Sequence, residues 1–139
     1  MPYYAENLNE HIGKKYQENE AFGTTCVAYV KIVSGAPSTP NWRPQAKVFD
    51  PLNPQCFYHV ELRPGVAIAT FNSEGRYPDK DQHAAIFLGY TTRGFRVQEQ
   101  TLADKKVVIR EIFRTEPNEE KVYANDPNAY YVIGIAPAI

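Results

Sequence analysis

The chain has 139 residues and a mass of 15.8 kDa, one domain's length, and can bury about two thirds of its unfolded surface without staples. Hydrophobic residues make up 43% and charged residues 22%, which excludes a disordered tail. Fifteen Lys and Arg against sixteen Asp and Glu leave a net charge of -1, with no basic surplus for a nucleic-acid backbone, and no apolar run approaches the roughly 18 residues of a membrane span.

The first residues, Met1-Pro2-Tyr3-Tyr4-Ala5-Glu6-Asn7, have neither a basic n-region nor an apolar h-region, so no Sec-type leader is expected. Leu8, Ile12 and Tyr16 fall at i, i+4, i+8 and predict a short amphipathic helix. Gly23-Thr24-Thr25 breaks the chain, and Thr24 or Thr25 can cap a second helix that begins near Cys26. That helix should turn Val27, Val30 and either Ile32 or Val33 inward, and Ser34-Gly35-Ala36-Pro37 ends it. Ser38 to Arg63 reads as irregular: it holds Pro40, Pro44, Pro51 and Pro54, and Pro64 closes it. Five strands follow, at Val66–Phe71, His83–Tyr90, Phe95–Gln100, Val107–Phe113 and Tyr130–Ile135. Helices first and antiparallel strands after them predict an α+β domain spanning residues 1–139. No repeat or low-complexity tract interrupts it.

Cys26 is the residue with the clearest chemistry. A helix N-terminus carries partial positive charge and free N–H groups, which favour thiolate over thiol and can hold an oxyanion. A nucleophile needs a base, and His83 opens an otherwise apolar strand behind the polar run Asp79-Lys80-Asp81-Gln82. Other readings stand beside this one. A lone helical cysteine is often a small core residue. Cys56 and His59 form a rival pair, but a zinc site there needs two further ligands, and His11 is the one histidine left. Two cysteines are too few for a disulfide scaffold, although a bond between Cys26 and Cys56 would silence the nucleophile.

The order Thr24-Thr25-Cys26-Val27-Ala28, Pro64-Gly65-Val66-Ala67-Ile68, His83-Ala84-Ala85-Ile86-Phe87-Leu88-Gly89 and Val97-Gln98-Glu99-Gln100 resembles the NlpC-type and CHAP cysteine amidases and peptidases of bacterial cell walls. Cys26-Val27-Ala28, Gly35-Ala36-Pro37, Trp42-Arg43, Pro64 to Phe71, Gly75-Arg76-Tyr77-Pro78 and His83-Ala84-Ala85 resemble, more closely still, a family of short one-domain members similar to the amidase toxins of type VI secretion. The resemblance implies a papain-like fold and a cysteine amidase or endopeptidase acting on peptidoglycan stem peptides. It implies Cys26 as nucleophile, His83 as base and a polar residue on the next strand to orient the ring. Two departures stand out. NlpC enzymes usually carry Asp where this chain has Thr25, and the orienting strand offers Glu99, Gln100 and Thr101 with no Trp.

Strand parity separates the candidates for the third position. If Thr92-Arg93-Gly94 is a three-residue hairpin loop with Gly94 left-handed, Thr91 opposes Phe95 and Glu99 shares a face with His83. A loop of even length pairs Tyr90 with Phe95 and selects Gln98 and Gln100. Glu99 is the expected orienting residue, with Gln100 as the alternative. Trp42 and Tyr77, with Tyr29 and Tyr58, are candidates for lining the substrate cleft, and core packing is their competing role. No metal or organic cofactor is needed. The expected partners are peptidoglycan and a cognate immunity protein that protects the producer. Nucleic acid and membrane insertion are not expected, nor is self-association. Without a leader, the chain would be made in a bacterial cytoplasm and reach a target periplasm through a specialised secretion system. A non-catalytic binding module on the same fold is the first rival reading, and an acyltransferase or thioesterase the second.

Overall fold

A computed structural model describes residues 2–17, 25–49, 62–77, 82–101, 103–113 and 123–135. It is an α+β domain built on one six-stranded antiparallel sheet. The elements are α1 (Leu8–His11), α2 (Cys26–Ser34), β1 (Trp42–Lys47), β2 (Ala67–Thr70), β3 (Ala84–Tyr90), β4 (Gly94–Gln100), β5 (Val107–Phe113) and β6 (Tyr130–Ile135), with short 3-10 turns at Thr39–Asn41, Tyr123–Asn125 and Pro127–Ala129. The strands lie in the order β1-β6-β2-β3-β4-β5.

α2 runs between two local signals. The Thr25 hydroxyl accepts the Ala28 N–H at 3.0 Å, and Gly35 at φ 77° ends the helix by donating to the Lys31 carbonyl. Its β-branched residues are poor helix formers, so burial of Ala28, Tyr29 and Val30 against the sheet stabilises it. Val33 packs at the edge of that core, and Ile32 is 47% exposed. α1 is shorter than its pattern suggested. It stops at His11 because Ile12 is extended and Gly13 is left-handed, and Ile12 faces outward.

Residues 2–16 instead cross the sheet as a strap. Ala67 N–H donates to the Tyr3 carbonyl and Ala5 N–H to the Gly65 carbonyl, both at 2.8 Å. Farther on, Gly13 N–H donates to the Val107 carbonyl and Val107 N–H to the Lys14 carbonyl, also at 2.8 Å. β1 corrects the irregular reading of Ser38 to Arg63. Trp42–Lys47 pairs with β6, and as the edge strand it tolerates Pro44, which lacks the N–H of an inner strand.

Side chains alternate between two cores. Ala67, Ala69, Ala84, Ile86, Val107 and Ile133 pack with α2 on one face. Val66, Ile68, Ala85, Phe87, Phe95, Val97, Ile112 and Tyr130 pack on the other. The β3–β4 hairpin is also corrected. Tyr90 pairs with Phe95, so the loop is even, and the Thr91 hydroxyl accepts the Gly94 N–H at 3.0 Å. Gly94 is not left-handed; a Cβ there would collide with the Ile112 carbonyl oxygen on β5. Gly94→Ala should therefore force the β4–β5 ladder apart and cost about 2 kcal/mol or more. Thermal denaturation reads this as a drop of about 5 °C or more in the midpoint.

The even loop does not set the final parity. Between Phe87 and Gly89 the register slips, with Leu88 as an extra residue on β3, so that Ile86 pairs with Gln98. This bulge returns Glu99 to the face that carries Ala85 and Phe87. Gln98 and Gln100 go to the helix side.

Candidate active site

Cys26, the first residue of α2, lies beside Ala84, the first residue of β3, at one end of the sheet. His83 stands just before β3 and is 6% exposed. Its backbone is clamped to β2: His83 N–H donates to the Thr70 hydroxyl, and Thr70 N–H to the His83 carbonyl, both at 2.9 Å. The ring packs edge-on against Tyr130 and lies near enough to the Cys26 thiol to lower its pKa. Nε2 lies 2.7 Å from Glu99 Oε1, which leaves Nδ1 as the nitrogen for the sulfur. The Tyr77 hydroxyl is 3.7 Å from Sγ, and the Ala84 N–H also reaches the sulfur. The site straddles the sheet's end: the thiol comes from the helix layer, and the carboxylate from the opposite face.

Glu99 is 3% exposed, so its charge needs partners. Besides His83 it has Arg110 of β5, whose Nε donates to Oε2 at 2.7 Å and whose second terminal nitrogen donates to Oε1 at 3.0 Å. Burial pushes the carboxyl up, but His83 and Arg110 outweigh it and hold the group at about 2. Burial pulls His83 down; its bonds to Cys26 and Glu99 prevail and raise it to about 9. Burial likewise pushes the Cys26 thiol up, and the His83 hydrogen bond and charge, with Ala84 and Tyr77, bring it below its ordinary value. With Glu99 ionised, Nε2 carries the proton and donates. Both shifts run toward a thiolate beside an imidazolium.

Gln100 lies elsewhere. It is fully buried on the helix face, where Oε1 accepts the Tyr16 N–H at 2.8 Å and Nε2 donates to the carbonyls of Tyr16 and Thr25 at 2.7 and 2.9 Å. Trp42 is 0% exposed and donates Nε1–H to the Pro37 carbonyl, so it supports Tyr77 from beneath, with ring centres 4.9 Å apart, rather than facing the cleft. Tyr29 is also fully buried and donates its hydroxyl to Gln98. Tyr77 is the half-buried aromatic residue that meets the sulfur. Tyr58, Cys56, His59 and Asp79 to Asp81 lie outside the described residues. His11 bonds the Tyr16 hydroxyl and the Glu6 carbonyl. Among the described residues no three His, Cys, Asp or Glu side chains come together as a metal site.

Sequence reasoning missed Arg110. Its signal was one long cation in the strand Val107-Val108-Ile109-Arg110, two places from Val108, the residue that pairs with Glu99. Beyond Tyr77, at the same end of the sheet, lies a cavity of about 390 Å³ lined by Phe71, Asn72, Ser73, Asp126, Asn128 and Tyr131, with Pro44, Gly75 and Ala129. Phe71 packs against both Tyr77, the ring beside the sulfur, and Tyr131, which lines the cavity with it.

A family model described as domesticated amidase effector 2 matches residues 3–133. The chain is 30% identical over 146 positions to a Salmonella typhi protein named type VI secretion amidase effector 2 protein, across 96% of this chain and 99% of that one. It also superposes on the solved structure of a type 6 secretion amidase effector 2 (Tae2) with a TM-score of 0.75 and 25% sequence identity, over 99% of this chain and 97% of the other. The fold is papain-like, with a cysteine-headed helix laid on an antiparallel sheet.

Proposed function

Since this chain belongs to the domesticated amidase effector 2 family, we propose that it is a cysteine amidase that cleaves amide bonds in bacterial peptidoglycan stem peptides. The observation that carries this reading is the row Cys26–His83–Glu99 at one end of the sheet. The Cys26 thiolate attacks the amide carbonyl carbon, and the electron pair moves to oxygen. The N–H groups at the start of α2 are suited to hold that oxyanion. His83 gives its proton to the amide nitrogen, the C–N bond breaks, and an amine leaves with a thioester on Cys26. Neutral His83 then takes a proton from water as it attacks the thioester. Collapse frees the carboxylic acid and restores the thiolate–imidazolium pair. Glu99 keeps the Nε2 proton in place throughout, and the cavity receives the peptide on one side of the scissile bond.

Delivery by type VI secretion, a cognate immunity protein in the producer and action as a monomer complete the proposal. Among the described residues no helix is long and apolar enough to cross a membrane. Digestion of purified sacculi, with mass spectrometry of the soluble products, tests it. Peptide fragments with one new amine and one new carboxyl terminus per cut are expected. Intact sacculi after treatment with folded protein whose Cys26 alkylates readily would sink the reading.

A further inference from the structure

The mechanism above accounts for three side chains, yet the structure holds a fourth that only the geometry explains. Arg110 directs a two-pronged contact at one carboxylate, with Nε on Oε2 at 2.7 Å and a terminal nitrogen on Oε1 at 3.0 Å. Two of its three remaining N–H donors are used as well. One terminal nitrogen reaches Asn125 Oδ1 at 2.7 Å, and the other reaches the Ala124 carbonyl at 3.0 Å. That carbonyl also accepts the Tyr130 hydroxyl at 2.7 Å. The arginine is therefore fixed from three sides, and a planar fork of this kind is not replaced by a lysine. A solubilising charge on the outer strand would instead reach into solvent, as Arg93 does in its exposed pair with Glu111.

Resting on the amidase reading, we infer that Arg110 is a positioning residue, which holds the Glu99 carboxylate against His83 and balances its charge in the buried row. The charged and titratable groups around Glu99 are His83 from β3, Arg110 from β5 and Tyr130 from β6, with Cys26 beyond His83. Tyr130 stays neutral because complete burial raises its hydroxyl well above the ordinary value. Thiolate, imidazolium, carboxylate and guanidinium then alternate in sign and sum to zero. Removal of Arg110 leaves one negative charge too many beside a carboxylate that is itself buried. Glu99 would relieve it by taking a proton in mildly acidic solution, and His83 would lose the acceptor that holds its ring and charge.

The test uses two pH profiles, kcat/KM on sacculus fragments and the rate of Cys26 alkylation by iodoacetamide. Arg110→Ala should move the acid limb of both profiles to higher pH by about 1 unit or more. Activity at pH 6 should fall about 10-fold to 10²-fold, through kcat rather than KM. Added guanidinium should restore part of the loss, and Arg110→Lys, which keeps the charge but not the fork, should fall between the two. If Arg110→Ala is too unstable to assay, Arg110→Lys with its displaced acid limb carries the test. Profiles that coincide with the parent, or a loss confined to KM or thermal midpoint, overturn the positioning role. That failure differs from failure of the amidase reading, in which the parent protein itself cuts no amide bond. The alkylation profiles still decide the role of Arg110 in that event.

Discussion

Cys26→Ala should abolish amide hydrolysis and leave the thermal midpoint within a few degrees of the parent. The substitution removes one sulfur from a half-buried position at a helix start, creating little cavity, and alanine is a good helix former. All covalent chemistry in the proposed mechanism passes through that sulfur, so the remaining groups can bind substrate but cannot form the thioester. The parent's alkylation rate should follow the thiolate. It should drop as pH falls through the lowered Cys26 value and change again above about 9, where His83 gives up its proton. Hydrolysis by Cys26→Ala at more than a trace of the parent rate would remove the cysteine from the mechanism.

Glu99→Ala should cost on the order of 10²–10⁴ in turnover, the range seen when the third member of a catalytic triad is lost. The carboxylate fixes the tautomer and stabilises the imidazolium, and both functions depend on the 2.7 Å contact to Nε2. Gln100→Ala should cost less than about tenfold in turnover but more in stability. It strips partners from the Tyr16 amide and from the Tyr16 and Thr25 carbonyls, and buried groups left bare cost about 1–3 kcal/mol each. Parallel kinetics and thermal melts should thus rank the two variants in opposite orders; equal kinetic losses would contradict the assignment. Stability should also respond to pH with a definite sign. Glu99 is depressed from 4.5 to about 2, so its contribution is present above 4.5 and disappears as pH falls toward 2. His83 is raised from 6.5 to about 9, so its contribution is present below 6.5 and disappears as pH rises through 9. Glu99→Ala should flatten the acid side of that curve.

Periodicity and caps made α2 and the five later strands legible, with bounds within a residue or two, because each carries an apolar run between turn residues. β1 was not legible. Its proline and two charges look like loop, and only the edge position beside β6 makes them acceptable. α1 overreached because Gly13 ends a helical pattern that spacing alone would continue. The third site residue shows the limit most sharply. A three-residue loop is the expected route to Glu99, and a loop of even length selects Gln98 and Gln100. The chain takes the even loop and reaches Glu99 through the bulge at Leu88, marked in the sequence by Gly89 inside the strand. Arg110 was invisible for a related reason, since its role exists only in the register of β4 against β5.

The strap has a kinetic consequence. Tyr16 and Gln100, whose side-chain and backbone groups satisfy one another, are 84 positions apart; Leu8 and Gln98 are 90 apart, and Thr25 and Gln100 75 apart. During synthesis Leu8, Tyr16 and Thr25 therefore lack these partners until β4 emerges. Pairing across such distances makes folding slow, on the order of milliseconds to seconds. The start of α2 gains its anchor on Gln100 only once β4 is in place. A pulse of alkylating reagent during refolding would then time the end of folding itself, with the burst of Cys26 labelling arriving together with protection of the Tyr16 amide from hydrogen exchange.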